Sequence, residues 1–138
     1  MSGANKTQVG GNHYQSAFQH WDLVNSVLRG RYLEGCITKY VSRWRSKNGL
    51  QDLQKAEHYC QKLIETYSFG HCPAMGNDLG RLTEAELFCA TNALGPYETA
   101  TIKGLSVWCN IKDLRNVHTA IKELIEDAHH EVINHHPI

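Results

Sequence analysis

The sequence is poor in the features that usually identify a chemistry. It carries 3 Pro in 138 residues and no Gly-rich or Pro-rich repeat, with 41% hydrophobic and 20% charged residues. That composition is ordinary for a globular chain and excludes collagen-like or largely disordered classes. Neither sign of charge is in excess, since 14 Lys and Arg balance 14 Asp and Glu. Proteins that coat DNA by neutralising many phosphates are basic overall, so a DNA-coating role is excluded. No apolar run approaches the ~20 residues of a membrane span, and no membrane partner is expected. The N-terminal stretch MSGANKTQVGGNHYQSAFQH lacks the apolar core of a signal peptide, which predicts a cytoplasmic protein. Cys36, Cys60, Cys72, Cys89 and Cys109 are odd in number and form no CxxC pair. They read as reduced thiols, not as a disulfide or zinc framework. The P-loop, Rossmann, GxSxG and HExxH motifs are all missing. The ExxE carboxylate pair of all-α nucleotide pyrophosphatases is absent from the two central helices, where Glu57 and Glu65 stand eight residues apart.

Helical periodicity is what the sequence does contain. Leu33, Cys36, Ile37, Tyr40, Val41 and Trp44 recur at helical spacing and predict a helix over 31–47. Asn48-Gly49 supplies its stop signal. Leu50, Leu53, Ala56, Cys60, Leu63, Ile64 and Tyr67 predict a second helix over 50–67. The short connection makes the two an antiparallel hairpin. A less regular helix runs from near Trp21 to Arg29-Gly30. The stretch 68–82 contains three Gly and one Pro and reads as a linker. Thr83 and Glu86 form a capping box that predicts a helix start there, running to about Ala93. Another helix is expected over 97–109, and a last one, capped by Asn110 with Asp113, reaching to about Val132.

The expected architecture is all-α: a helical bundle built from antiparallel helix hairpins. Residues 1–12 would be a flexible arm, 13–67 a hairpin domain, 68–82 the linker and 83–138 a helical C-terminal half. A degenerate internal repeat of the hairpin is one reading of this chain. Trp44 and Trp108 stand 64 residues apart; Asp52-Leu53 and Leu63-Ile64-Glu65 recur 61 residues on, at Asp113-Leu114 and Leu124-Ile125-Glu126. Shared helical vocabulary is the other reading.

The zero net charge hides segregation. Residues 29–47 hold Arg29, Arg31, Lys39, Arg43, Arg45 and Lys47 against Glu34, six cations to one acid, a net of plus five. The remainder is therefore minus five. Arg31, Gly35, Lys39, Arg43 and Lys47 lie four apart, on one helical stripe, with a gap at Gly35 where a ligand would reach the backbone. Like charges at this spacing repel by a few tenths of a kcal/mol per pair, which an anion would relieve. The stripe borders Tyr40 and Trp44, and the next helix offers Asp52, Lys55, Tyr59 and Lys62. Cations for phosphates, aromatics for a base and one acid for Mg²⁺ or a ribose hydroxyl make up a nucleotide site. The plain alternative is a solvated basic face over core aromatics. His129, His130, His135 and His136 lack the spacing of a metal site and read as solvent-facing, so no protein-held metal site is expected.

Four separated motifs carry a resemblance. They are His13-Tyr14; Trp21-Asp22; Lys39-Tyr40-x-x-Arg43-x-x-x-Lys47; and Asp52-Leu53-x-Lys55-Ala56-x-x-Tyr59. In order and spacing, the segment from Gly11 to Glu65 resembles a small domain family of tailed phages that includes the T7-type nucleotide kinases, which phosphorylate dGMP and dTMP. The resemblance implies a shared site of His13, Tyr14, Lys39, Tyr40, Arg43, Lys47, Asp52, Lys55 and Tyr59, to which the stripe adds Trp44. For a kinase, Lys39, Arg43 and Lys47 would clamp the phosphates while Asp52 carries the Mg²⁺ that comes with ATP. Arg43, Lys47 and Asp52 would then be its catalytic residues. Where the family has Arg-Ala-Gly-x-Lys, this chain has Arg43-Trp44-Arg45-Ser46-Lys47. The alternative is an anti-defence protein of the host cytoplasm that sequesters a cyclic or ADP-ribose-type signal nucleotide without turnover. Either way Arg43 is expected off the core face, removable without unfolding the protein. Tyr40, Trp44, Tyr59 and Tyr67 exceed what a lone hairpin buries, which predicts a homo-oligomer or cover from the second half.

Overall fold

A computed structural model describes residues 17–135, with side chains to residue 131. His13, Tyr14 and the expected N-terminal arm lie outside the described residues, as does His136. Six helices and no strand occur among the described residues: α1 (His20–Ser26), α2 (Tyr32–Arg43), α3 (Leu50–Ser68), α4 (Leu79–Thr91), α5 (Pro96–Val107) and α6 (Ile111–His135). The fold is an all-α helical bundle. Among the described residues no helix is long and apolar enough to cross a membrane.

The apolar stripes read from the sequence form the core. Ile37 and Val41 of α2 meet Leu53, Cys60 and Leu63 of α3, each at most 1% exposed. The same core continues through Phe88 of α4, Ile102 and Leu105 of α5, and Leu114 and Ile121 of α6. Each such side chain adds roughly 1.5–3 kcal/mol by leaving water. Along this core α3 packs on α6, α5 on α6 and α2 on α5. The surplus aromatics of the first hairpin are partly covered this way. Trp44 is 3% exposed, and Tyr67 sits edge-on to Trp108 with ring centroids 4.9 Å apart.

Two helix ends differ most from expectation. Helix α2 stops at Arg43, so residues 44–49 form a turn and Lys47 is not on the stripe. Burial of Trp44 anchors the exit. The Gly49 N–H then closes on the Trp44 carbonyl at 2.9 Å, and Gly49 takes φ +56. That left-handed conformation costs glycine little. Helix α4 starts at Leu79, not at Thr83. Asp78 accepts the Arg81 N–H at 2.9 Å and caps the helix, while the Thr83 hydroxyl bonds the Leu79 carbonyl from inside it. The last helix begins where expected, with Asn110 Oδ1 accepting the Asp113 N–H at 2.9 Å. In α5, a Cβ added at Gly104 would stand 2.8 Å from Val117 Cγ2, so glycine lets α5 approach α6 closely.

The contact between α2 and α5 is polar where polar groups are least expected. Trp44 donates its indole N–H to Glu98 at 3.0 Å, and Trp108 donates its own to Glu34 at 3.1 Å. Both glutamates are at most 2% exposed. Arg31 Nε lies 2.8 Å from Glu34, and Arg45 Nε lies 3.2 Å from Glu98. A buried carboxylate is tolerated only when paired and hydrogen-bonded, and each has both kinds of partner.

Candidate functional site

The hairpin of α2 and α3 gathers part of the expected site around Tyr40. Its ring stacks parallel to Tyr59, with centroids 6.0 Å apart and an interplanar angle of 9°. The Arg43 guanidinium lies 4.9 Å from the Tyr40 ring centre, Lys55 Nζ 5.4 Å and Lys39 Nζ 5.6 Å. All three distances fall within cation–π range. Lys39 and Arg43 come together because they are four apart on α2, and Lys55 faces them from α3. The nearby acid is Asp52, so three positive charges face one negative charge and the site is electropositive.

Two groups that the motifs did not include also belong here. Tyr32 stands edge-on to Tyr59 at 6.3 Å. Hydrogen bonding to Cys36, and then to Tyr59, pushes its pKa up to about 12. Tyr32, Cys36 and Tyr40 are four apart, a spacing visible in the sequence but unread beside the cations. His20 of α1 lies with Nε2 2.8 Å from Thr38 Oγ1. The Thr38 hydroxyl also lies 3.0 Å from the Glu34 carbonyl. Burial, then the positive charge of Lys39, and to a lesser degree that of Arg43, lower the His20 pKa to about 4. No local pattern could have placed His20 beside residues 18 positions further on.

Several expectations are corrected by this geometry. Gly35 is no opening for a ligand: it is buried, and a Cβ there would meet Val24 of α1 at 3.4 Å. Trp44 offers no face for a base, because it is buried with its N–H committed to Glu98 and Arg45 stacked 4.2 Å away. Lys47 is exposed in the 44–49 turn. Asp52 is fully buried at the start of α3. One of its oxygens accepts the Asn48 backbone N–H at 3.2 Å, and the other receives Arg43 and the Asn48 side chain, each at 3.5 Å. Arg43 Nε lies 3.4 Å from the first oxygen but is not aligned as a hydrogen bond. Arg43 is thus half-buried and tied to a structural carboxylate, not free of the core as expected. Three of the six cations in 29–47, Arg31, Arg43 and Arg45, neutralise buried acids.

Mg²⁺ requires near-octahedral oxygen ligands and usually keeps several waters. Asp52, buried beside a guanidinium, does not fit that role. No group of three or more His, Cys, Asp or Glu side chains gathers for a metal among the described residues.

Residues 9–61 match the model of a protein family described as of unknown function, DUF3310. The match takes in α1 and α2 and ends within α3. That family description assigns no activity. No curated protein and no solved structure matches the chain.

Proposed function

We propose that the α2–α3 hairpin binds a nucleotide-type ligand, an aromatic group bearing phosphate. The observation that carries this reading is the set of three cations, Lys39, Arg43 and Lys55, within 5.6 Å of one tyrosine ring that is itself stacked on a second. Lys39 and Lys55 meet the phosphate as point charges, and Arg43 offers the guanidinium edge that Asp52 leaves unused. Tyr59 and Tyr32 present ring surface to the base. The resemblance to the phage family supports the same reading from the motif side and extends the shared site to His13 and Tyr14.

Holding the ligand without turning it over is the favoured form of this reading. The burial of Asp52 removes the candidate metal carboxylate, and no group of three or more His, Cys, Asp or Glu side chains gathers for a metal among the described residues. A nucleotide-sequestering protein, with a cyclic or ADP-ribose-type signal as its ligand, needs neither. A nucleoside monophosphate kinase using Mg·ATP is the second reading, and it rests on the resemblance. Thermal-shift titration with mono-, di- and cyclic nucleotides tests binding. Stabilisation by at least one, lost in Lys39→Ala and Lys55→Ala variants that still fold, is expected; no shift with any nucleotide sinks the reading. Incubation with dGMP or dTMP and Mg·ATP separates the two forms, because only a kinase yields diphosphates.

A further inference from the structure

The seam between α2 and α5 is reciprocal. Glu34, third residue of α2, accepts the indole N–H of Trp108, which follows α5; Glu98, third residue of α5, accepts that of Trp44, which follows α2. A contact in which i meets j′ and j meets i′ is the signature of an isologous two-fold interface. Both helices are 12 residues long. Glu34 and Glu98 stand 64 residues apart, as do Trp44 and Trp108. So do Arg29 and Ala93, at φ 59 and φ 53, the non-glycine residues with positive φ among those described. After a turn three residues shorter the offset becomes 61. Asp52 accepts the backbone N–H of Asn48 at 3.2 Å, and Asp113 accepts that of Cys109 at 2.8 Å, each four residues upstream. Sequence vocabulary can recur by chance. Agreement of helix length, rare backbone geometry, N-terminal closure and reciprocal hydrogen bonds at one pair of offsets is not expected from chance.

We infer that residues 93–128 are a second copy of the 29–67 hairpin, docked on the first as its built-in partner, and that only the first copy keeps an anion site. The counterparts of Tyr40, Arg43, Lys55 and Tyr59 are Gly104, Val107, Asn116 and Ala120. A hollow of about 340 Å³ lies there, lined by Gly104, Val107, Trp108, Asp113, Asn116 and Val117 among others. Those six are the offset partners of Tyr40, Arg43, Trp44, Asp52, Lys55 and Ala56. Where the first copy has cations around Tyr40, the second has a cavity lined by one carboxylate and no cation. The seam was retained on both sides, whereas of the three ligand cations the second copy keeps only the counterpart of Lys39, Lys103, which is paired with Glu86 at 3.4 Å. The cations that neutralise the two seam glutamates both come from the first copy, Arg31 and Arg45.

The statement about ligand sites rests on the proposed nucleotide binding; the statement about the second copy does not. Equilibrium dialysis of the full chain with dGMP is expected to saturate at one ligand per chain. The double variant Val107→Arg/Asn116→Lys, which returns the two lost cations to the hollow, is expected to saturate at two. Two sites in the unaltered chain, or one in a folded double variant, overturns the single-site inference. If the double variant does not fold, exposed Asn116→Lys is read alone, and a weak second event is expected. The seam is tested without ligand. Glu34→Gln and Glu98→Gln should lower Tm by amounts within about twofold of each other, the first changing Trp108 emission and the second Trp44 emission. A large loss in one and none in the other overturns the two-fold equivalence. Absence of binding by dGMP and by every other nucleotide of the thermal-shift panel, in a chain with matched seam losses, defeats the binding reading and leaves the second copy standing.

Discussion

The two hairpins, α2–α3 and α5–α6, use one frame for different ends. Each pairs a 12-residue helix with a longer one, of 19 residues in the first and 25 in the second. Each closes its turn on an aspartate and buries a glutamate against the other's tryptophan. Beyond the frame they diverge. The first surrounds Tyr40 with cations, whereas the second has Gly104 pressed against Val117 and a hollow beside it. The lesson is that interhelical contact and surface chemistry are separable. Residues at the seam are fixed by burial, and residues on the outer side of the same helices are free to change.

The comparison is broken most forcefully at the seam. Glu34→Ala removes the carboxylate partner of an indole N–H and of Arg31, and Glu98→Ala that of an indole N–H and of Arg45, which keeps Glu131 at 3.1 Å; each is expected to cost about 3 kcal/mol in urea unfolding. A silent variant on either side would show that the hydrogen bonds are not equivalent. Acid should act at nearly the same scale through His20 of α1, which packs against Thr38 of the first hairpin. His20 has a folded pKa of about 4 against 6.5 for the free side chain. As pH falls below 6.5 the unfolded chain takes the proton first, so stability declines from there to about pH 4 and levels off below. The loss is on the order of 3 kcal/mol and should shrink in His20→Gln. An anion bound at Lys39 and Arg43 offsets the charges that help to depress this pKa. Adding a bound nucleotide should therefore move the His20 NMR titration upward.

Smaller effects sharpen the contrast further. Arg43→Ala is expected to cost about 2 kcal/mol, because Asp52 keeps its Asn48 donors but loses its charge partner. Lys39→Ala, at an exposed position, should be nearly neutral for stability while weakening nucleotide binding. Equal stability losses would mean that Arg43 is no more structural than Lys39. At the bottom of the scale stand two glycines. Gly104→Ala should destabilise by about 1 kcal/mol through its contact with Val117, and Val117→Ala should relieve the clash. Gly35→Ala meets Val24 at ordinary contact distance, and the better helix propensity should make it neutral or stabilising by up to ~1 kcal/mol.

Much of this was legible in the chain. Burial of one helix face imposes a spacing of three and four, so α2, α3 and α6 could be read from Ile37, Leu53, Ile121 and their neighbours. The clustering of Lys39, Tyr40, Arg43, Lys55 and Tyr59 followed from four-residue spacing and a short turn. Start signals were less decisive, since the Thr83/Glu86 pattern pointed to one start while Asp78, five residues upstream, caps the helix. The fate of Arg31, Arg43, Arg45 and Trp44 was not legible. Their partners include buried carboxylates, and Glu98 lies 53 residues from Arg45 with nothing local to mark it as buried. A stripe of cations looks the same in sequence whether water or an interior glutamate answers it.

The crossing between the hairpins has a consequence for how chains behave together. The Gly76 N–H bonds the Trp108 carbonyl at 3.0 Å, while Arg81 reaches the Met75 carbonyl at 3.2 Å and the Ser106 carbonyl at 3.2 Å. Arg29 adds a hydrogen bond to the Met75 carbonyl at 3.3 Å. Two halves of one chain that bury each other's tryptophans are an invitation to domain swapping, in which each molecule lends its second half to a neighbour. Swapping requires the hinge to open. Here the hinge is laced to both halves, so the exchange-prone state is reached only by breaking those bonds, and concentrated solutions should hold closed chains.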